Sequence, residues 1–333
     1  MTVTAFAPGR VNLIGDHTDY TGGFVLPIAI DLGTTVTIES GGDTVTLRSD
    51  LEAEPAVVPI GVTDPAGVEP AWAGYVAGVV SVIRPAAGGR GTVATTLPVG
   101  AGLSSSAALE LAVALALGFD GPPLELAQAC QKAEYLASGV PCGIMDQLAS
   151  AAGRDGQALL IDCSSLEMTG IPVPAGVEIL VVHSGQDRAL ATSAYADRHR
   201  ECAEAAAIIG PLRRAAMADV VALRDPVLRR RARHVVTENE RVLAFTESLR
   251  AGDAAEAGRL MLASHASLRD DFEVSTPGLD ELVADLARRP GVAGARLTGA
   301  GFGGCVVALL EAGAAADVAG WRVRPAAGAH RLP

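Results

Sequence analysis

Apolar and polar residues alternate over Val3–Ala7 and Thr34–Ile38, the period-two pattern of strands with one buried face. Gly41-Gly42-Asp43 is a turn signal, and it predicts a return strand over Thr44–Arg48. Leu51–Val68, rich in Pro, Gly and acid, reads as a surface excursion. Apolar positions then recur with helical spacing over Trp72–Ile83, Ser104–Leu117 and Leu124–Ser138, with strand patterns at Arg90–Leu97 and Ala158–Asp162. Gly170, Pro172 and Pro174 break the pattern within Leu166–Ala175, which predicts a domain junction dividing the chain into 1–168 and 169–333. Beyond it a strand is expected at Glu178–His183 and helices at Thr192–Ile209, Val227–Arg250, Ala254–Leu268 and Gly278–Arg288. Strand patterns at Gly294–Thr298 and Gly304–Leu310 follow, and the tail from Gly313 carries little pattern. The mixture is an α+β fold in two parts.

Composition narrows the class. With 333 residues and 49% hydrophobic side chains the chain can fill two cores, and the 4% aromatic content leaves that filling to Ala, Val and Leu. A net charge of −12 argues against a nucleic-acid or anionic-membrane surface, although backbone amides at a helix start can still bind phosphate. Five widely spaced cysteines without a CxxC pair suit neither a disulfide framework nor a zinc site, and read as thiols in a reducing cytoplasm. The start MTVTAFAPGR has no signal-peptide pattern, and the apolar run Ala107–Leu117 is interrupted by Glu110 and too short to span a bilayer. A cytoplasmic monomer acting on small molecules is expected.

Three segments carry candidate chemistry. Pro98–Ala108 reads PVGAGLSSSAA: Gly100 and Gly102 allow close backbone approach, and Ser104, Ser105 and Ser106 open a helix whose amides form an anion site. By itself this segment also fits an ordinary capped helix. No Walker A lysine and no protein-kinase catalytic loop occurs. Gly299–Gly304 satisfies GxGxxG, but it precedes a strand pattern with only about thirty residues to follow, so a glycine turn between strands fits better than a dinucleotide fingerprint. Pro8–Gly23 reads PGRVNLIGDHTDYTGG. It gathers Arg10, Asn12, Asp16, His17, Asp19 and Tyr20 among glycines between apolar flanks, a donor and acceptor density suited to a polyhydroxyl ligand. Asp146, in GIMDQ, stands before an apolar helical stretch and suits either a helix cap or a proton acceptor. Glu134 suits either a solvated face or a metal ligand.

Taken together and in order, PGRVNLIGDHTDYTGG, LPVGAGLSSSAALELA and LTGAGFGGCVVALLE resemble the GHMP kinase family and, within it, the galactokinases. WAGYVAGV, AEYLASGVPCGIMDQLAS, ALLIDC, RARHVV and SHASLRDDFEVS extend the resemblance over nearly the whole chain. The resemblance implies a ribosomal-S5-like N-terminal domain and a ferredoxin-like α+β C-terminal domain, with ATP and sugar between them. It implies Asp146 as the base taking the proton from the sugar C1 hydroxyl, and Arg10 beside it stabilising transferred charge. ATP phosphates would lie on Gly100, Gly102 and Ser104–Ser106, and Mg²⁺ on Glu134 with Ser105 or Ser106. Asp16, His17, Asp19, Gly143 and Tyr195 would hold the sugar. The expected reaction is phosphorylation of D-galactose at C1.

One departure qualifies the substrate. Asp16 stands where such kinases usually have glutamate, and its carboxylate is expected to withdraw by about 1.5 Å from the sugar's C6 region. That keeps N-acetylgalactosamine, galacturonate, arabinose or another polyol as alternatives. A non-catalytic sugar and ATP sensor on the same fold is a further alternative, disfavoured by the intact serine run with Asp146 and Arg10.

Overall fold

The strand at the start of the chain continues well past Ala7, where its alternation gives way to burial of every residue to Asn12. The computed structural model describes residues 1–98, 100–186 and 191–333, with side chains of 191–193 excepted. Its first half runs β1 (Thr2–Asn12), β2 (Phe24–Val25), β3 (Pro27–Ser40), β4 (Thr44–Ser49), β5 (Ala56–Pro59), α1 (Ala71–Ile83), β6 (Gly89–Thr95), α2 (Ser105–Ala116), α3 (Pro123–Ser138), α4 (Met145–Ala152), β7 (Gln157–Asp162) and β8 (Glu167–Pro172). The second half runs β9 (Val177–His183), α5 (Ala191–Ile209), α6 (Met217–Ala222), α7 (Pro226–Ala251), α8 (Ala254–Asp270), α9 (Pro277–Ala287), β10 (Val292–Thr298), β11 (Cys305–Glu311), β12 (Trp321–Val323) and β13 (His330–Arg331).

Six strands form a sheet in the order β13-β1-β3-β6-β4-β5. β1 and β3 are antiparallel partners, and their register slips between Pro8 and Arg10. The irregularity falls at the residue the site depends on, as bulges beside active sites often do. The turn at Gly41–Asp43 does not close a hairpin: β6 lies between β3 and β4 and pairs parallel with β4. The expected surface excursion contains β5, which pairs with β4. The segment marked as a junction is also structured, since β8 pairs with β7 from Gln157↔Pro172 to Asp162↔Glu167. Proline at its last residue ends the strand without costing a ladder bond inside it.

α2 packs beneath the sheet with Ala107, Ala108, Ala112 and Ala114 fully buried, and these small side chains let helix and strands approach closely. The second sheet, β10-β11-β9-β12, is covered on both faces. In β9, Ile179 and Val181 point into the first core while Leu180 and Val182 point into the second, the strand period dividing them. α7 spans the same two cores, with Val235 and Val236 in one and Val242, Phe245 and Leu249 in the other. Asp225 caps it by accepting from the Val227 amide at 2.7 Å, Pro226 occupies the first turn, and Gly252 ends it in the left-handed region. The low-pattern tail returns to the first sheet, where Phe6 pairs with His330.

Candidate active site

The register slip in β1 puts Arg10 at the centre of a polar junction. Its Nε and Nη2 each donate to one carboxylate oxygen of Asp146 at 2.8 Å, a bidentate pair. Nη1 donates to the Gly102 carbonyl at 2.8 Å, and the Arg10 amide donates to the Leu103 carbonyl at 3.1 Å. Arg10 is buried while the Asp146 side chain stays 31% exposed, so the carboxylate is both held and reachable. Asp146 lies in the first turn of α4 rather than before a helix, and Ser104 Oγ adds a third donor at 2.6 Å.

The serine loop has the conformation its glycines predict, with Gly100 at φ 72° and Gly102 at φ 73°. Ser104 also sits at φ 60°, so the helix of Ser105 and Ser106 starts from a left-handed residue. Val99 of this loop lies outside the described residues. Ser106 Oγ donates to Glu134 Oε1 at 2.8 Å, and Gln147 Nε2 donates to Oε2 at 2.5 Å. Glu134 on α3 therefore faces the loop instead of bulk solvent. Burial, with the nearby Asp146 charge second, holds its carboxyl above the usual range.

A cavity of about 430 Å³ opens beside this junction, lined in part by Arg10, His17, Asp19, Gly143, Asp146 and Tyr195. Burial first, and Asp146 second, push Asp19 up to about 7, so near neutral pH it can donate as well as accept a hydrogen bond. Gly143 is required by close approach: a Cβ there would lie 1.6 Å from Asp19 Oδ2. Tyr195 on α5 is hydrogen-bonded by the Gly143 backbone and packs against His17 with ring centroids 5.6 Å apart. His17 is locked between Tyr20, 3.0 Å from Nδ1, and the Ala300 carbonyl, 3.2 Å from Nε2, and its own burial lowers its pKa to about 3.

Asp16 makes contacts that its sequence context did not suggest. It borders the cavity, but Oδ1 accepts the Gly299 amide at 2.8 Å and Oδ2 pairs with Arg296 at 2.6 Å, with side chains 2% and 0% exposed. Its two oxygens thus meet the glycine turn and β10, so a carboxylate that borders the cavity also ties the motif to the second half of the chain. Arg296 was missed by sequence reasoning, although a lone cation inside the apolar strand GARLTG was the available signal, because a buried charge requires a partner. A second cavity, about 350 Å³, lies on the other side of the serine loop and is lined by Trp72, Val93, Leu97, Ser105, Ser106 and Leu109 among others.

Among the described residues no group of three or more His, Cys, Asp or Glu side chains could hold a metal ion. Glu134 with Ser106 offers a partial set of hard oxygen donors, of the kind Mg²⁺ shares with phosphate and water.

Residues 2–40 match the galactokinase galactose-binding signature, 74–154 the GHMP kinases N-terminal domain and 245–321 the GHMP kinases C-terminal model. The chain is 45% identical to the galactokinase of Homo sapiens over 328 residues, covering 93% of this chain and 84% of that one. It belongs to the galactokinase family of GHMP kinases. The galactokinase of Roseiflexus is likewise 45% identical, over 92% of this chain and 82% of its own. The solved structure of Lactococcus lactis galactokinase complexed with galactose superposes with a TM-score of 0.91 at 32% identity, covering 99% of this chain and 95% of that one. A mevalonate kinase, at 19% identity and TM-score 0.70, shares the fold. The two-part α+β GHMP kinase architecture expected from the three motifs is thus the one observed, and no helix among the described residues is long and apolar enough to cross a membrane.

Proposed function

We propose that the protein transfers the γ-phosphoryl group of ATP to the C1 hydroxyl of D-galactose, giving α-D-galactose 1-phosphate and ADP. The observation that carries this reading is the meeting of the galactose-signature segment, the serine loop and Asp146 at Arg10, in a chain 45% identical to known galactokinases. His17, Asp19, Gly143 and Tyr195 hold the sugar, with Asp16 fixing the wall behind them. Asp146 accepts the proton of the C1 hydroxyl as its oxygen bonds to the γ-phosphorus and the bond to the ADP oxygen breaks. Arg10 fixes that carboxylate at both oxygens and lends positive charge to the transferring group. Gly100, Gly102 and Ser104–Ser106 cradle the phosphates, and the base of ATP lies in the apolar cavity at Trp72 and Leu97. Glu134 with Ser106 or Ser105 holds Mg²⁺, which supplies charge neutralisation to the phosphates when bound.

The enzyme works in this reading as a cytoplasmic monomer on small molecules, without nucleic acid or membrane. Neither the relatives nor the site favours the related-sugar or sensor alternatives. A coupled ADP-release assay across a sugar panel tests the proposal, with product analysis to locate the phosphate. Turnover confined to a sugar other than galactose, or a product phosphorylated away from C1, overturns it.

A further inference from the structure

The sugar motif is strained, and α7 holds it from behind. Gly15 lies at φ 98° and His17, which has a side chain to accommodate, at φ 65°. A non-glycine residue in that region persists only where its surroundings over-determine it. Thr18 Oγ1, which reaches the Gly15 and Phe24 carbonyls, and the Leu13–Leu26 pairing hold the backbone from within, and α7 adds three bonds from outside, at positions 234, 238 and 239. His234 Nε2 lies 3.1 Å from the Asp16 carbonyl, and the Gly15 amide donates to Glu238 Oε1 at 3.0 Å. The Phe24 amide donates to Asn239 Oδ1 at 2.7 Å, an approach so close that a Cβ on Gly23 would lie 2.5 Å from that oxygen.

Glu238 is the hub of this face. Besides Gly15 it accepts Ser264 of α8 at 2.5 Å and Arg241 at 2.7 Å, and it lies 4.0 Å from Arg296, the partner of Asp16. Its side chain is 0% exposed, and it does not line the sugar cavity. A buried anion among two guanidiniums and two neutral donors is fully engaged, and removing its charge leaves donors facing donors.

We propose that Glu238 is a positioning residue for the sugar site: by fixing the Gly15–Asp16 backbone from outside the cavity, it aims His17 and Asp19 at the sugar. This rests on the reading of the cavity as the galactose site. Arg241 and Arg296 stabilise the charged form of Glu238 against its burial, and its pKa falls to about 2, so the anion is present throughout the working range.

The test is Glu238→Gln in the full chain, which keeps the volume and removes the charge. The expected result is a rise of about tenfold or more in KM for galactose, with KM for ATP within about twofold, the scale of one charged hydrogen bond in a site. Amide exchange at Gly15 and Phe24 should accelerate while α2 exchanges as before. Should that variant fail to fold, Ser264→Ala removes one donor to the same carboxylate and is expected to shift the same two readouts in the same direction. Unchanged galactose KM with unchanged Gly15 exchange overturns the proposal, as does an equal loss for both substrates. Wild-type protein that does not turn over galactose sinks the sugar reading instead, and the exchange comparison then decides alone whether Glu238 holds the motif.

Discussion

Replacing Gly143 by alanine adds one methyl group where the sugar-facing wall has no room for it. The backbone there is not left-handed, so the substitution carries no conformational strain of its own. Its whole effect comes from the new Cβ, which would lie 1.6 Å from Asp19 Oδ2, 2.2 Å from Cγ and 3.0 Å from Asp19 Cβ. Reaching an ordinary 3.4 Å contact requires the carboxylate oxygen to retreat by about 1.8 Å, farther than a hydrogen bond can stretch and survive. The sugar then loses its contact with Asp19, worth about 1.5–3 kcal/mol for a bond to a charged group, or about 10- to 150-fold in kcat/KM for galactose. Coupled ADP release measures this, with KM for ATP as the internal control. A double-mutant cycle supplies the decisive comparison. In an Asp19→Gly background the three atoms nearest to the added methyl are gone, so Gly143→Ala should cost little further. Wild-type galactose kinetics in Gly143→Ala, or losses that simply add in the double variant, would refute the steric account.

Asp146→Asn should lower kcat by about 10²- to 10⁴-fold, the range of a lost general base, while calorimetry finds galactose and ATP binding largely retained; wild-type-like turnover would remove Asp146 as the base. Glu134→Gln should raise the Mg²⁺ concentration needed to support ADP binding, read by calorimetric titration of Mg²⁺, and an unchanged requirement would move the metal elsewhere. Asp19→Asn tests the linkage of that carboxyl to stability. Its folded pKa of about 7 lies above the unfolded value of 3.8, so the folded state holds a proton that the unfolded state has released. Wild-type stability from this group therefore falls as pH rises from about 4 through 7. Asp19→Asn, which never ionises, should gain on the order of 1–3 kcal/mol over wild type at pH 8, discounted for the partial exposure of a cavity-lining group, and little at pH 4.5. Equal melting-temperature changes at both pH values would falsify the shift.

What the sequence made legible was local. The strand and helix periods of Thr34–Ile38, Trp72–Ile83 and Val227–Arg250 survive in β3, α1 and α7, because those patterns report which face each element buries. The serine-loop glycines adopt positive φ, which composition alone could suggest. Pairing was less legible. β6 enters between β3 and β4, and the tail returns to β1, because partners distant in sequence leave no periodic trace. Within Leu166–Ala175, Gly170 and Pro172 look like breakers singly, yet strand pairing of β8 with β7 tolerates a glycine inside and a proline at the end. Within the site, resemblance supplied the residues and no geometry. Arg10 and Asp146 are 136 positions apart, and only the β1 irregularity and the start of α4 make them a bidentate pair.

Asp16 shows how a single shortened side chain can have partners that its sequence context does not reveal. As a withdrawn sugar contact it suggested a changed substrate. In the structure its oxygens meet Gly299 and Arg296, its carbonyl meets His234, and Arg296 lies within 4.0 Å of Glu238. Those partners come from β10, from the glycine turn that follows it and from α7, so the residue joins the sugar motif to three parts of the second half at once. A longer acid would have to push its extra methylene into a pair whose side chains are 2% and 0% exposed, where added volume forces rearrangement. The short side chain is therefore matched to Arg296 and the Gly299 amide, and its length reports the packing between the motif and the second half of the chain.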